Sequence, residues 1–374
     1  MDILPFDRTV PYNHLPLLPL SNEVLTDPEV LQAWGYAGRQ LFGLRSNLLR
    51  LPNPNMLVNT ISLQEAKSSS AIENILTTED ELFKAVSDTV NEAEANPSTK
   101  EVLRYREALW AGFQDIRNKQ KLDLDTILEV YRKVKDTQQG LRPPVSQVVI
   151  QRGDSEFRAG EVVYTPPRGK GVIEEKMNNL IEYLRASPEQ DRVDPLLKMA
   201  VAHYQFEAIH PFTDGNGRTG RIINLLYLVQ EGLLSHPVLY LSKYIIHHKD
   251  EYYHRLGAVS SRQDWKGWLL YMMKGVEQTA LHTNHVVDAT LSQMDATLEY
   301  AQQELKWYTK EVNEALFTQP YLKPRLLGEV LGRTSRTTLT KYAQELTRLG
   351  ILTPKQDGKE VFYMNNDLVR ILEG

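Results

Sequence analysis

The stretch DPLLKMAVAHYQFEAI, residues 194–209, runs into HPFTDGNGRTGR, residues 210–221, and then into IINLLYLV, residues 222–229. Asp194 offers a side-chain acceptor at a helix N-cap, and Pro195 suits the first helical position. From Leu196 to Ile209 apolar residues fall on nearly every face, the pattern of a helix at the centre of a bundle. Ile222 to Val229 predicts a second buried helix. The expected fold is therefore mainly α, with a polar loop held between two core helices.

That loop carries more charge than a structural turn needs. Gly215 and Gly217 let the backbone take conformations closed to other residues, and the next helix starts where their N–H groups point. Arg218 and Arg221 lie one turn apart, so two guanidinium forks face one side and suit phosphate oxygens. Together these residues imply a polyphosphate. Asp214 places a carboxylate beside that anion, a sensible arrangement if a Mg²⁺ ion lies between them. His210, one residue past the buried helix, can act as a base near neutral pH.

Three other readings of the loop are weaker. Gly215, Gly217 and Gly220 fit a dinucleotide fingerprint, but that motif follows a strand, whereas a helix precedes it here. GxxxxGK[ST] and HExxH are absent. His203, His210 and Asp214 could be metal ligands of a hydrolase, yet the arginines and glycines would then have no role, and His203 reads better as a hydrogen-bonded core residue.

Outward from the loop, the 374 residues suffice for two or three domains. A net charge of -5 makes a whole-chain grip on nucleic acid or anionic membrane unfavourable, and the absence of cysteine removes disulfides, thiolate metal sites and Cys nucleophiles. The start, MDILPFDRTV, lacks the pattern of a signal peptide, and no apolar run reaches membrane-spanning length, so a cytoplasmic protein without a membrane partner is expected. The first sixty residues, rich in Pro and Leu, suggest an extended arm with short helices between. A helical pattern from Ile61 to Leu76 is interrupted by Ser68-Ser69-Ser70. Helices are expected over Lys100 to Ile116 and Asp125 to Lys135, and a hairpin from Val145–Gln151 and Glu161–Thr165.

Val287, Leu291, Met294, Leu298, Ala301, Leu305, Tyr308, Val312 and Ala315 form a heptad seam that predicts one long helix. Packing within its own chain and pairing in a homodimer satisfy that seam equally. Beyond it, helices over Arg325–Leu331 and Ser335–Leu349 precede strands Ile351–Pro354 and Glu360–Met364 around Asp357-Gly358, a winged-helix order. Residues 317–374 hold nine Lys and Arg against six Asp and Glu, with Arg333, Arg336, Lys341 and Arg348 on or beside the second helix. DNA contact, protein contact and plain packing all stay open for this module. The division expected is 1–98 for the arm and a regulatory helix, 99–280 for a catalytic core, 281–316 for a connecting helix and 317–374 for a winged-helix domain.

The loop of residues 210–221 resembles, at every position, the Fic-family signature HPFx[D/E]GN[G/K]RxxR. Residues 100–277 resemble a Fic helical core, and the hairpin ending Val162-Val163-Tyr164-Thr165-Pro166-Pro167 resembles its target-docking flap. The resemblance implies a protein adenylyltransferase that moves AMP from ATP to a Tyr, Thr or Ser hydroxyl of a target protein, or of itself, docked near Tyr164. It implies His210 as general base and Asp214 as Mg²⁺ ligand. It carries Gly215, Asn216, Gly217, Arg218, Thr219, Gly220 and Arg221 over to ATP binding, with Tyr252, Leu256 and His247 at the adenine. Gly217 stands where phosphorylating members carry lysine.

Ser69-Ser70-Ala71-Ile72-Glu73-Asn74 further resembles the family's inhibitory motif, [S/T]xxxE[G/N]. Ser69, Glu73 and Asn74 would then form a brake in which Glu73 pairs with Arg221 and occupies the fork that the γ-phosphate needs. The competing function is an ATP-sensing winged-helix regulator without transferase activity, which would need the cradle but no base at position 210.

Overall fold

A computed structural model of the chain describes residues 6–52, 55–87, 93–151, 160–187, 190–332, 335–358 and 360–373. The described structure is mainly helical. Its N-terminal part holds α1 (Asn22–Leu25), α2 (Pro28–Leu48), α3 (Asn55–Ile72) and α4 (Glu79–Ala85), followed by α5 (Pro97–Lys119) and α6 (Leu124–Lys135). Strands β1 (Ile150–Gln151) and β2 (Val162–Tyr164) pair antiparallel ahead of α7 (Val172–Arg185). Next come α8 (Pro195–Ile209), α9 (Asn216–Gln230), α10 (Leu241–His247), α11 (Lys249–Arg262) and α12 (Trp265–Glu304). The C-terminal part is α13 (Lys310–Leu316), β3 (Tyr321–Leu322), α14 (Pro324–Leu331), α15 (Arg336–Arg348), β4 (Thr353–Asp357), β5 (Glu360–Met364) and α16 (Asn366–Glu373).

α8 is the axis of the bundle, as its all-round apolar sequence requires. Asp194 Oδ1 accepts from the Leu196 amide at 2.8 Å, and thirteen of the fifteen helix residues are buried. α7, α9 and α12 pack around it, and α9 in turn meets α3, α5 and α6. Helix α9 starts at Asn216, inside the stretch expected to be loop, so Arg218 and Arg221 already stand on its first two turns.

The arm expected over the first sixty residues exists only in part. Residues 6–20 run without helix and are pinned to the bundle: Leu18 and Asn179 exchange two hydrogen bonds, and Lys176 and Gln205 donate to Leu15 O and Pro16 O. Residues 28–48, however, form a helix of 21 residues rather than short pieces. Its cause was present in the sequence: Asp27 caps it, Pro28 opens it, and Val30, Ala37, Leu41, Leu44 and Leu48 make a buried face. α2 lies alongside α12 in the same direction, with Lys266 at Asp27 and Glu29 near one end and Arg50 at Asp288 near the other.

Two further expectations need correction. The Ser68-Ser69-Ser70 cluster does not interrupt its helix; α3 continues through it, with all three serines buried and Ser68 Oγ 2.9 Å from Tyr240 Oη. The heptad seam is not one helix either. α12 begins at Trp265, upstream of the expected boundary at 281, and ends at Glu304, where Leu305 turns extended. Thr309 then caps α13, which folds back so that Asn313 Nδ2 donates to Met294 O at 3.0 Å. Leu305, Tyr308, Val312 and Ala315 stay buried, so the seam is filled from within the chain and gives no support to a dimer.

The helix, helix, hairpin order of the C-terminal part is observed, with β3 added to give a three-stranded sheet in the order β3-β5-β4. Gly358 has φ 55 at the hairpin turn, and Asp357 faces Glu360 in the register. The first strand lies two residues later than expected. Among the basic residues of this part, Arg336, Lys341 and Arg348 are exposed on α15, while Arg333 lies outside the described residues. One side of α15 is covered by Trp307, which stacks on Tyr342 at 4.0 Å and donates to Glu345. The module also grips α3 and α4: Gln64 donates to Leu372 O, Thr60 to Thr318 O, and Asp80 takes Tyr321 and Lys355.

Candidate active site

His210 terminates α8 in the left-handed conformation, with φ 50, a geometry uncommon outside glycine. Its amide donates to Phe206 O at 2.9 Å and its carbonyl accepts from Arg142 Nε at 2.7 Å. Arg142, which is 3% exposed, also donates through Nη2 to Pro167 O and Ile209 O, joining the end of α8 to the exit of the β1–β2 hairpin. No sequence signal marked Arg142; a single arginine before Pro143-Pro144 carries no motif. Burial, reinforced by the Arg142 charge, pushes the His210 imidazole down to about 4. His210 is therefore neutral at pH 7, and its Nδ1 has no hydrogen-bond partner among the described residues.

Below it the loop is closed by its own side chains. Asn216 accepts from the Phe212 amide at 2.9 Å and returns a bond to Phe212 O at 2.8 Å, while Phe212 stacks flat on Tyr131 with centroids 3.8 Å apart. The Asn216 side chain is thus a loop staple, which leaves only its backbone amide toward the cradle. Gly215, at φ 82, is an N-cap with no side-chain acceptor, which leaves the first-turn N–H groups of α9 for a ligand. Gly220 packs against α8, where an added Cβ would meet Glu207 Oε1 at 2.6 Å and Phe206 at 3.0 Å. Thr219 is fully buried beside it.

Arg221, Arg218 and Lys135 are each matched to a carboxylate. Arg221 Nη2 donates to Glu73 Oε1 at 2.7 Å and to Ser69 O at 2.9 Å, and its Nε donates to Ser69 Oγ at 2.7 Å. Burial opposes the Arg221 charge, but Glu73, joined by Tyr252, Tyr105 and Glu207, outweighs it and holds the guanidinium above its ordinary value. Arg218, 2% exposed, meets Glu101 of α5 at 2.8 Å. Asp214 meets Lys135 of α6 at 2.6 Å; burial would raise its carboxyl, yet Lys135 and the Gly215 amide bring it below the ordinary value. Glu101 and Lys135 were not foreseen, since a charged residue near a helix end ordinarily reads as a dipole complement.

The residues 69–74 approach as a unit for a backbone reason. α3 ends at Ile72, and Asn74, at φ 61, takes the left-handed position that closes its last turn, so asparagine or glycine suits that place. Glu73 then projects onto Gly217, where a Cβ would lie 2.3 Å from Glu73 Oε1. Two turns before Glu73, Glu65 anchors the same helix, accepting from the Ser242 amide at 2.9 Å, from Ser242 Oγ and from Tyr105 Oη at 3.1 Å. Glu65→Ala would strand these buried donors; the expected loss is roughly 3 kcal/mol of stability, read as a lower urea midpoint at unchanged m-value.

The residues expected at the adenine divide. Tyr252 is 2% exposed, with Oη 2.9 Å from His203 Nε2, and its phenol is raised by burial and by Glu207. His203 is the core residue expected, pushed down to about 3 by burial and Arg221. Leu256 is half-buried on α11, whereas His247 is exposed with Nδ1 2.6 Å from Lys243 O of its own helix. Sequence reading missed Glu207, one turn before His210, which burial raises to about 8. Tyr164 points inward and donates to Ala208 O at 2.8 Å, tying β2 to the end of α8; the hairpin tip at 152–159 lies outside the described residues.

The donor set around Asp214 fits Mg²⁺ delivered by a nucleotide. Its carboxylate already holds a cation, the Lys135 ammonium, and no group of three His, Asp or Glu side chains among the described residues forms a cage of its own. Mg²⁺ characteristically takes one or two carboxylates together with substrate phosphates.

Residues 31–114 match the Fic/DOC family N-terminal region, residues 121–228 the Fic/DOC family itself, and residues 293–368 the C-terminal domain of SoFic-like protein adenylyltransferase. Protein adenylyltransferase fic-1 of Caenorhabditis elegans is 27% identical over 199 residues, which cover 52% of this chain and 35% of that protein. Protein adenylyltransferase Fic of Aedes aegypti is 30% identical over 161 residues, 42% of this chain and 28% of that one. The chain thus spans about a third of the length of these curated relatives. A Fic family protein from Desulfovibrio desulfuricans G20 superposes with a TM-score of 0.55 at 19% identity, covering 93% of this chain and 98% of its own. Fic-1 of C. elegans gives 0.51 at 21% identity, covering 69% and 73%; at such identities the likeness concerns the fold. The loop, the bundle around it and the matches along the chain agree, and the chain belongs to the Fic family.

Proposed function

We propose that the chain is a protein adenylyltransferase held in check by Glu73. The observation that carries this reading is one loop that joins a neutral, half-buried His210 to a nest of backbone amides and to Arg218 and Arg221, each cation occupied by a carboxylate from elsewhere in the chain. The relatives' names, protein adenylyltransferase, support AMP transfer, and ATP is the substrate this implies.

In the proposed reaction the target hydroxyl oxygen attacks the α-phosphorus, His210 Nε2 takes its proton, and the bond from the α-phosphorus to the bridging oxygen breaks to release pyrophosphate. The first-turn amides of Asn216 and Gly217 face the α- and β-phosphates, while the Gly215 amide is held by Asp214. Arg218 and Arg221 stabilise charge that grows on the departing pyrophosphate. Asp214 would hold Mg²⁺, which when bound neutralises phosphate charge. An extended target segment beside the β1–β2 hairpin would be placed by main-chain bonds, with little demand on its sequence. Residues 324–364 have the helix and strand order of a winged helix.

The test offers ATP labelled at the α- or the γ-phosphate to the Glu73→Gly protein with Mg²⁺ and cell extract. Protein label from the α-position alone is expected. Label from the γ-position alone means phosphorylation, and no label with ATP still bound favours the sensor. A pH profile of the same variant adds a second expectation. The folded chain holds His210 down at about 4, so the base stays neutral below the ordinary value near 6.5, and the acid limb of kcat/KM should fall well under pH 6. The sign for stability is opposite in consequence: below about 6.5 the unfolded chain takes a proton that the folded chain refuses, so folding weakens from there down to about 4. An acid limb centred at 6.5 in a fully folded protein would contradict the assignment of His210.

A further inference from the structure

Lys135 ends α6 and lies across the mouth of the cradle. Its Nζ is 2.6 Å from Asp214 Oδ2 and 3.7 Å from Glu101 Oε1. Its stem covers Gly215, where an added Cβ would meet Lys135 Cγ and Cδ at 2.9 Å. The helix cannot easily carry this lysine away, because Tyr131, one turn earlier, stacks on Phe212 inside the loop. The other oxygen of Asp214 is taken by the Gly215 amide at 2.6 Å, so Oδ2 is the oxygen turned outward, and an ammonium sits on it.

We propose that Lys135 is a tethered monovalent occupant of the divalent-cation position at Asp214, and that Mg²⁺ binds there by displacing the ammonium toward Glu101. The inference rests on the reading of Asp214 as the carboxylate that meets the nucleotide's cation. Two cations cannot share Oδ2 at contact distance without strong repulsion, so the lysine must leave when the ion arrives. Glu101 gives it a destination within a short swing of the side chain. Glu101 already holds Arg218 at 2.8 Å; sharing its charge with a second cation loosens that hold and turns Arg218 toward phosphate. Lys135 would therefore set the cation concentration at which the site loads and couple loading to release of Arg218.

The test measures Mn²⁺ binding to the protein loaded with an equimolar non-transferable ATP analogue, by the electron paramagnetic resonance of free Mn²⁺. Lys135→Met keeps the stem over Gly215 and removes the charge, and should bind Mn²⁺ about tenfold more tightly than wild type. Lys135→Arg keeps the charge and should stay within about twofold of wild type. Asp214→Asn should weaken Mn²⁺ in both the wild-type and Lys135→Met backgrounds. If Lys135→Met binds no more tightly while Asp214→Asn still weakens binding, competition by Lys135 is overturned and the Asp214 site stands. If Lys135→Arg tightens as much as Lys135→Met, charge is not the cause and the proposal also fails. If Asp214→Asn leaves binding unchanged, the reading of Asp214 falls and the proposal with it.

Discussion

Glu73→Gly is expected to raise AMP transfer by about a hundredfold, the largest gain that any single change in this chain should produce. The pair it breaks is 2.7 Å long between a guanidinium that is 2% exposed and a carboxylate that is 34% exposed. A partly desolvated charge pair of this kind is worth roughly 3 kcal/mol when one partner is removed, and each 1.4 kcal/mol is tenfold. In the nucleotide-free protein that energy appears as a loss: Arg221 keeps Ser69 Oγ and Ser69 O but no counter-charge. On the proposed reading, the γ-phosphate of Mg-ATP would supply the missing anion. The variant should therefore melt a few degrees below wild type without nucleotide and gain more than wild type when Mg-ATP is added. Unchanged transfer, or equal nucleotide stabilisation in both proteins, would remove Glu73 from its role as a brake. Glu73→Gln, which keeps the shape and loses the charge, should fall between.

Much of this was legible before any coordinates. The twelve residues from His210 to Arg221 pointed to an anion site through composition, because three glycines, two arginines and a carboxylate between apolar helices are more than a structural turn needs. The caps at Asp194 and Asp27 were legible by the same local logic, although the helix that Asp27 starts was passed over among prolines. What stayed hidden was whatever depends on distant chain coming together. Arg142, Glu101, Lys135 and Glu207 are ordinary residues in their own sequence neighbourhoods; they matter because α5, α6, the segment after α6, and α8 bring them to one loop. The serine cluster misled for a related reason. Polar residues on an apolar face look like a break, but in α3 they face Arg221 and Tyr240, so the helix continues through them. The heptad seam misled in the opposite sense, since a buried stripe persists across a chain reversal at Leu305 and periodicity alone cannot see the turn.

Removing the base should be as decisive as removing the brake. In the Glu73→Gly background, His210→Ala is expected to lower transfer by about 10³-fold, within the range for loss of a positioned general base, while ATP affinity changes by less than about threefold. The separation follows from the geometry. Among the described residues the only polar neighbour of the imidazole is the Glu207 backbone, and no side chain depends on His210 for a hydrogen bond, so truncation strands no side-chain partner. The loop itself is held by the His210 backbone, through Phe206 O and Arg142, and by Asn216, none of which the substitution touches. One cost does arise from the backbone: at φ 50 an alanine is strained by about 1 kcal/mol, which could shift the loop and mimic a catalytic loss. His210→Asn and His210→Gly relieve that strain without restoring a base. All three variants should lose transfer alike and bind ATP alike. If the glycine variant recovers transfer, the alanine result reports loop strain, and if any of them labels protein at the rate of its parent, proton removal by His210 is not part of the reaction.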